Sequence, residues 1–356
     1  MITMTKRKSM PTGKAVAIRG IGILSALVTV GILFLAMGYN PLQIYGTMLQ
    51  GSVGSGYNLR ETIIRAIPLV ITSLGISLAF RMKFWNIGAE GQIIMGAFAA
   101  SFFALFTPDL PKAVLLPLMA LAGMLAGGLW AFVTAVLKVR FGVNETIITL
   151  MMNYVALQWI TWLQYGPWRD PKALNFPKIA NFGDSAILPK VLGIHVGWVI
   201  ALLLTAFLFY FLRHTAFGYE ISVVGESLNT ARYAGISVPR VILVTVFCSG
   251  AICGLTGMIQ ASAVSQTLMR DIAGGVGFTS IITAYLASLS APVILVVSFF
   301  FAMLVQGGDY IQTAFNISAS VAKILQAVIL FFVLGSEFFV HYRVTRVRTS
   351  AKEAIR

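Results

Sequence analysis

Apolar residues in this chain neither alternate with polar ones nor recur only at helical spacing. They come in long, nearly unbroken runs. Ten such segments stand out, at about 16–37, 62–80, 87–106, 113–137, 144–163, 197–212, 241–263, 276–288, 291–306 and 321–340. A helix of about 20 apolar residues crosses the hydrocarbon core of a bilayer, where only helices and closed barrels satisfy their own backbone. The pattern therefore predicts an all-α integral membrane protein with eight to ten transmembrane helices. The eighth and ninth segments are short for a full crossing and are expected as half-helices or one re-entrant pair. The first run, Val16 to Met37, is too long for a signal-peptide core and lacks a small-residue cleavage site, so it reads as a retained first helix.

Composition supports the bilayer as solvent. Hydrophobic residues make up 58% of the 356 and charged residues 11%, against about 25% charged in soluble domains. Mean hydropathy is +0.86. A net charge of +14 suggests nucleic acid, but the basic residues cluster beside the apolar runs. With the N-terminus in the cytoplasm, 17 of the 26 Lys and Arg fall in inner segments (1–20, 81–83, 138–140, 213–240 and 343–356). This bias predicts both ends inside, an even number of spans, and lipid rather than nucleic acid as the basic residues' neighbour. The organisation expected is a basic cytoplasmic N-terminus (1–15), one transmembrane domain (16–340) and a basic cytoplasmic tail (341–356). Loop 164–196 is predicted external. Loop 213–240 is predicted cytoplasmic, with Gly225 to Gly235 as one short helix across the inner face. Segments 86–102 and 275–290 are both Gly-opened and polar-then-apolar, which suggests two weakly related halves.

No energy source is visible in the chain. The single Gly-Lys pair, Gly13-Lys14, lacks the spacing of a phosphate-binding loop. Cys248 and Cys253 lie in one apolar run and read as packing residues, and the histidines at 195, 214 and 341 have no metal-ligand spacing. No cofactor is expected in this chain. It should move a solute rather than convert one, and an ATP-driven version needs a partner ATPase, with 225–235 as the best-placed surface. An ion-gradient transporter would need several deep ionisable residues, and a membrane enzyme acting on lipid or quinone would need clustered His, Asp or Glu.

Polar groups inside the runs are the candidate site. A carboxylate in the membrane costs about 2.5–3.5 kcal/mol on insertion scales. Glu90, with Asn86 four residues before it and Gln92 beyond, either lines a translocation path or is held for structure. Gly88 and Gly91 flank it and could interrupt the helix. Glu145, Thr149 and Asn153 form a stripe at i, i+4 and i+8, with Tyr154 and Gln158 beyond, which reads as facing the bundle or a cavity along the path; the other reading of Glu145, close after Lys138 and Arg140, is an interfacial residue. Asp309, Gln312 and Asn316 read as an external loop, and Glu337 as paired with Arg343 or a neighbour. Trp85, Trp162, Trp168 and Trp198 fit an aromatic belt. Trp130 and Trp159 read as packing residues, with stacking on a sugar or base as the other possibility.

Residues 86–92 (NIGAEGQ), 142–154 (GVNETIITLMMNY), the loop 213–237 (RHTAFGYEISVVGESLNTARYAGIS) and 325–339 with its basic tail resemble, in order, the permease subunits of bacterial ABC importers for nucleosides and simple sugars, in the branched-chain amino acid and ribose permease superfamily. The likeness runs over about 60–345. It departs at 277–281 and 290–293, where a Gly-Phe-Asp-Gly-Ile-type start and an Asn-Pro-x-Gly ending are replaced by Gly277-Phe278-Thr279-Ser280-Ile281 and Ser290-Ala291-Pro292-Val293. The resemblance implies a bacterial cell-membrane location and a second, homologous permease subunit. It also implies an ATPase carrying ATP and Mg at the inner face, and an extracytoplasmic binding protein or lipoprotein. The residues that would couple to the ATPase are Gly218, Gly225, Glu226, Ala231, Arg232, Tyr233, Ala234 and Gly235.

Overall fold

A computed structural model describes residues 2–6, 11–174 and 176–346. The basic residues expected at 7–10 and 347–356 lie outside the described residues. In chain order the helices are α1 (Thr12–Ala36), α2 (Pro41–Val53), α3 (Gly56–Arg81), α4 (Ala89–Phe106), α5 (Lys112–Phe141), α6 (Glu145–Tyr165), α7 (Gly197–His214), α8 (Ala216–Glu226), α9 (Leu228–Tyr233), α10 (Val238–Ile259), α11 (Val276–Leu286), α12 (Ala291–Phe315) and α13 (Ala319–His341). Gln260–Ser265 continues α10 as a π-helical turn. Strand β1 (Ile2–Lys6) begins the chain, β2 (Lys190–Val191) and β3 (Ile194–His195) form a small hairpin, and β4 (Tyr342–Arg346) pairs antiparallel with β1. Among the described residues nine helices are long and apolar enough to span a membrane; α11 is the short apolar one.

The ten apolar runs each become a helix. Two details differ from expectation. The ninth segment is the full-length α12, which absorbs Asp309 and Gln312 into a helix where a loop was expected; Gln312 donates to Asp309 at 3.0 Å. Helix α2, absent from the pattern, is started by Asn40, whose side chain accepts from the Leu42 N–H, and by Pro41 in its first turn. Glu337, expected to pair with Arg343 or a neighbour, pairs with Arg19 of α1 through two hydrogen bonds of 2.8 and 2.9 Å.

The chain divides into two compact units, one of residues 60–302 and an end unit of residues 1–59 and 303–356. In the end unit α1 packs on α13, where Gly22 meets the Ser336 side chain, and the Tyr45 hydroxyl donates to the Leu27 carbonyl.

The centre of the 60–302 unit is the triple contact of α4, α5 and α10. No side chain separates these backbones. A Cβ at Gly96 would strike the Gly254 carbonyl, one at Gly254 the Gly123 carbonyl, and one at Gly257 the Ile93 carbonyl. Lipid offers little hydrophobic drive between helices, so close backbone packing through small residues takes over.

Two faces of this unit can be told apart. Arg81, Lys83, Lys138, Arg140 and the α8–α9 pair mark a basic face. Loop 164–196 marks the other. It is tied to the far end of α10: Ser262 donates to Ala186 and accepts from Leu188, Thr267 donates to Ile179, and the Phe182 N–H donates to Gln266. Segment 270–289 runs between the faces. The Arg270 N–H donates to Gln164 on the loop face, and the Leu289 carbonyl accepts from Arg81 on the basic face. Helix α11 covers only about 16 Å of that distance, and the non-helical 270–275 stretch covers the rest.

Candidate functional site

The polar residues of NIGAEGQ lie where α3 and α4 are joined. The connection leaves helix after Arg81 and turns at Lys83, whose φ is +58°. It folds into the unit until Asn86 touches Ser249 of α10, with the amide nitrogen 3.4 Å from the hydroxyl. Backbone that is not helical at this depth needs partners. Asn86 and Gln92 supply some, in a reciprocal amide pair at 2.9 and 3.2 Å, while the Asn86 oxygen also accepts from the Gly88 N–H. Helix α6 supplies the rest. Thr149 accepts from the Ile87 N–H at 3.2 Å, and Asn153 accepts from Gly91 at 2.8 Å and donates to the Ile87 carbonyl at 2.9 Å. These four side chains are buried. Asn86 precedes α4, so it does not share a helical face with Glu90 as the four-residue spacing suggested.

Glu90 sits in the first turn of α4 and points at the start of α11. Its two carboxylate oxygens accept the N–H groups of Gly275 and Gly277 at 2.8 and 2.7 Å. A helix N-terminus leaves such donors unpaired and carries partial positive charge, so a carboxylate completes it. Gly277 is required at this point, because a Cβ there would overlap the Glu90 backbone.

Glu145 lies apart from Thr149 and Asn153, at the basic face. It forms an ion pair with Lys138 at 2.8 Å across the turn made by Gly142 (φ +66°) and capped by Asn144. The pair lines a cleft of about 350 Å³ with Phe84, Glu226, Leu228 and Ile242. The 225–235 stretch is not one helix. Helix α8 ends at Glu226, and Ser227 caps α9 by accepting from the Thr230 N–H. Gly218 and Gly225 are buried contact points, Gly218 against the Phe211 carbonyl and Gly225 against that of Arg81. Glu226 is exposed. On α9, Ala231 is buried, whereas Leu228, Arg232 and Tyr233 are exposed, as are Ala234 and Gly235 just beyond; Tyr233 reaches 94%. Gly235 holds φ +75°.

The family model for the permease component of the branched-chain amino acid transport system matches residues 58–334. The chain belongs to this permease family. A glucose ABC transporter permease protein of Haloferax volcanii is 33% identical over 356 residues, covering 96% of this chain and 93% of the relative. A guanosine ABC transporter permease protein of Bacillus subtilis is 29% identical, covering 89% of this chain and 92% of its own. A nucleoside ABC transporter permease protein of Lactococcus lactis is 28% identical, covering 85% and 86%.

As an ABC importer permease, the chain is a multi-pass transport subunit and not an enzyme, and it works with ATPase and binding-protein partners. In this permease the clasp of Asn86, Gln92, Thr149 and Asn153 spends its hydrogen bonds on its own backbone, and both oxygens of Glu90 hold α11. What the spacing of these residues did not reveal is their partner. Thr149 and Asn153 bond to 87–91, a contact between segments some 60 residues apart in the chain. Ser227, which splits the 225–235 stretch, is the one missed residue with a local signal: a serine just before a helical run is an N-cap.

Proposed function

We propose that the permease imports a nucleoside or a simple sugar across a bacterial cell membrane, driven by an ATPase docked on α9. The observation that carries the substrate class is the near full-length likeness to permeases named for glucose, guanosine and nucleosides. The docking assignment rests on α9 itself. It is a capped, six-residue helix on the basic face with one buried anchor, Ala231, and an exposed outer side carrying Arg232 and Tyr233. Gly218 and Gly225 hold α8 against the membrane helices, so that movement of α9 passes to α7 and to the 81–84 segment.

Ten crossings, counting segment 270–289, return the chain to its starting face, and the pairing of β1 with β4 agrees. The positive-inside bias makes that face cytoplasmic. A second, homologous permease subunit completes the pathway, and an external binding protein or lipoprotein delivers solute to the face of loop 164–196.

Uptake by proteoliposomes holding the permease with its ATPase and binding protein tests this reading. ATP inside should drive accumulation of labelled guanosine or glucose, unaffected by ionophores. Uptake driven by a Na⁺ or H⁺ gradient without ATP would replace it with a secondary transporter.

A further inference from the structure

The inward face of α6 is spent on the clasp; its opposite face is not. Met151, Tyr154, Gln158, Trp162 and Tyr165 follow one another at three- and four-residue spacing and all are exposed, Tyr154 at 58% and Trp162 at 57%. Neither the Tyr154 hydroxyl nor the Gln158 amide has a hydrogen-bond partner among the described residues. Gln158 lies about 10 Å, and Tyr154 about 16 Å, along the helix from its outer end at Tyr165. Both are therefore within the ~30 Å hydrocarbon layer. An aromatic belt accounts for Trp162 and Tyr165 at the helix end. It does not account for a carboxamide and a phenol deeper down, since hydrocarbon offers neither a partner. Elsewhere in this unit many polar side chains of the apolar helices are buried, as at Thr72, Ser73, Ser101, Thr134, Thr205 and Ser249, and the exposed Tyr210 of α7 and Tyr285 of α11 lie within four residues of a helix end.

We infer that this stripe is where the permease contacts its solute. The inference rests on the importer reading above. The chemistry on offer is specific. Trp162 is backed by Trp159, with ring centroids 5.2 Å apart and planes tilted 37°, and presents a flat apolar face. Gln158, one turn below, offers both donors and an acceptor, and Tyr154 a hydroxyl. That set suits a neutral solute with a ring face and a hydrogen-bonding edge, which a nucleobase and a pyranose both provide. It does not suit an anion, because no cation stands on the stripe.

A single cysteine at Gln158 tests the inference, on a background of Cys248→Ser and Cys253→Ser, in proteoliposomes with the ATPase, second permease subunit and binding protein. The expected result is labelling by a membrane-impermeant charged thiol reagent, slowed at least threefold by guanosine or by glucose, the protecting solute identifying the class. Tyr154→Phe and Gln158→Leu should each raise the uptake KM, the latter by about tenfold. Absence of labelling overturns the inference, since the residue then faces lipid. Disulfide cross-linking to the second permease subunit without labelling also overturns it, in favour of a packing surface. So does labelling that neither solute slows. If Gln158→Cys does not fold, Tyr154→Cys takes its place with the same outcomes. Loss of ATP-driven uptake in the unsubstituted protein would instead remove the importer reading, and it is measured in the same vesicles.

Discussion

Glu90 is a carboxylate in a membrane-spanning helix and forms no ion pair among the described residues. Its stabilisation comes from two backbone N–H groups at the start of α11 and from the positive end of that helix. Glu90→Gln keeps the shape but turns one acceptor into a donor facing a donor. The variant should lose about 1.5–3 kcal/mol, read as a lower Tm in detergent, and Glu90→Ala should lose at least as much. An unchanged Tm for both would show the contacts to be idle. His195 makes a second residue-scale case, outside the spans. It is 3% exposed and its ring nitrogens have no hydrogen-bond partner among the described residues; burial, helped by Lys190, pushes its pKa down to about 4. The folded protein holds the imidazole neutral, whereas the unfolded chain takes up a proton near pH 6.5. Stability should therefore be level above pH 6.5 and fall as the pH drops from there towards 4. His195→Leu should lose less Tm than the parent between pH 7 and 4.5, and equal losses would rule the histidine out as the cause.

At the scale of elements, what was legible in the sequence was whatever depends on a single segment. The apolar runs marked the helices because length and apolarity are properties of one stretch. The ninth run was cut short because Asp309, Gln312 and Asn316 read as a loop, yet α12 continues through the first two. The contact of α4, α5 and α10 was not legible, because a glycine needed for backbone approach looks the same as one facing open space. Gly254 and Gly46 illustrate this: a Cβ at Gly254 meets the Gly123 carbonyl, and one at Gly46 meets nothing within 4 Å. Gly254→Ala should cost about 1–3 kcal/mol by forcing two helices apart. Gly46→Ala, in α2, should be neutral or slightly stabilising because alanine is the better helix former. Thermal unfolding of the two variants side by side checks both, and a similar Tm would mean the α4–α5–α10 contact is looser than its geometry. The candidate site was illegible for the same reason. Periodicity located the polar stripe on α6 but not which of its two faces another segment uses.

For the whole molecule, the count of crossings turns on 270–289. Nine long helices alone would leave the two ends of the chain on opposite sides of the membrane. In the topology proposed above, segment 270–289 restores an even number, its ends being bonded to Gln164 on the loop face and Arg81 on the basic face. Half of that crossing is not helical, and Glu90 stands where the helix begins. The α11 crossing therefore depends on a carboxylate from α4 for its N-terminus, which links the residue-scale prediction to the topology. The β2–β3 turn and α9 report on the two faces of the same unit. Leu192 is 79% exposed at the turn and Tyr233 94% exposed on α9. With the native cysteines replaced, Leu192→Cys should react with an impermeant thiol reagent only from outside intact cells, and Tyr233→Cys only after the cytoplasmic face is opened. Reaction of both from the same side would break the assignment of faces, and with it the placement of the ATPase on α9. Tyr233→Cys should also weaken ATPase association without moving the Tm, because its side chain carries no contact that the permease needs to fold.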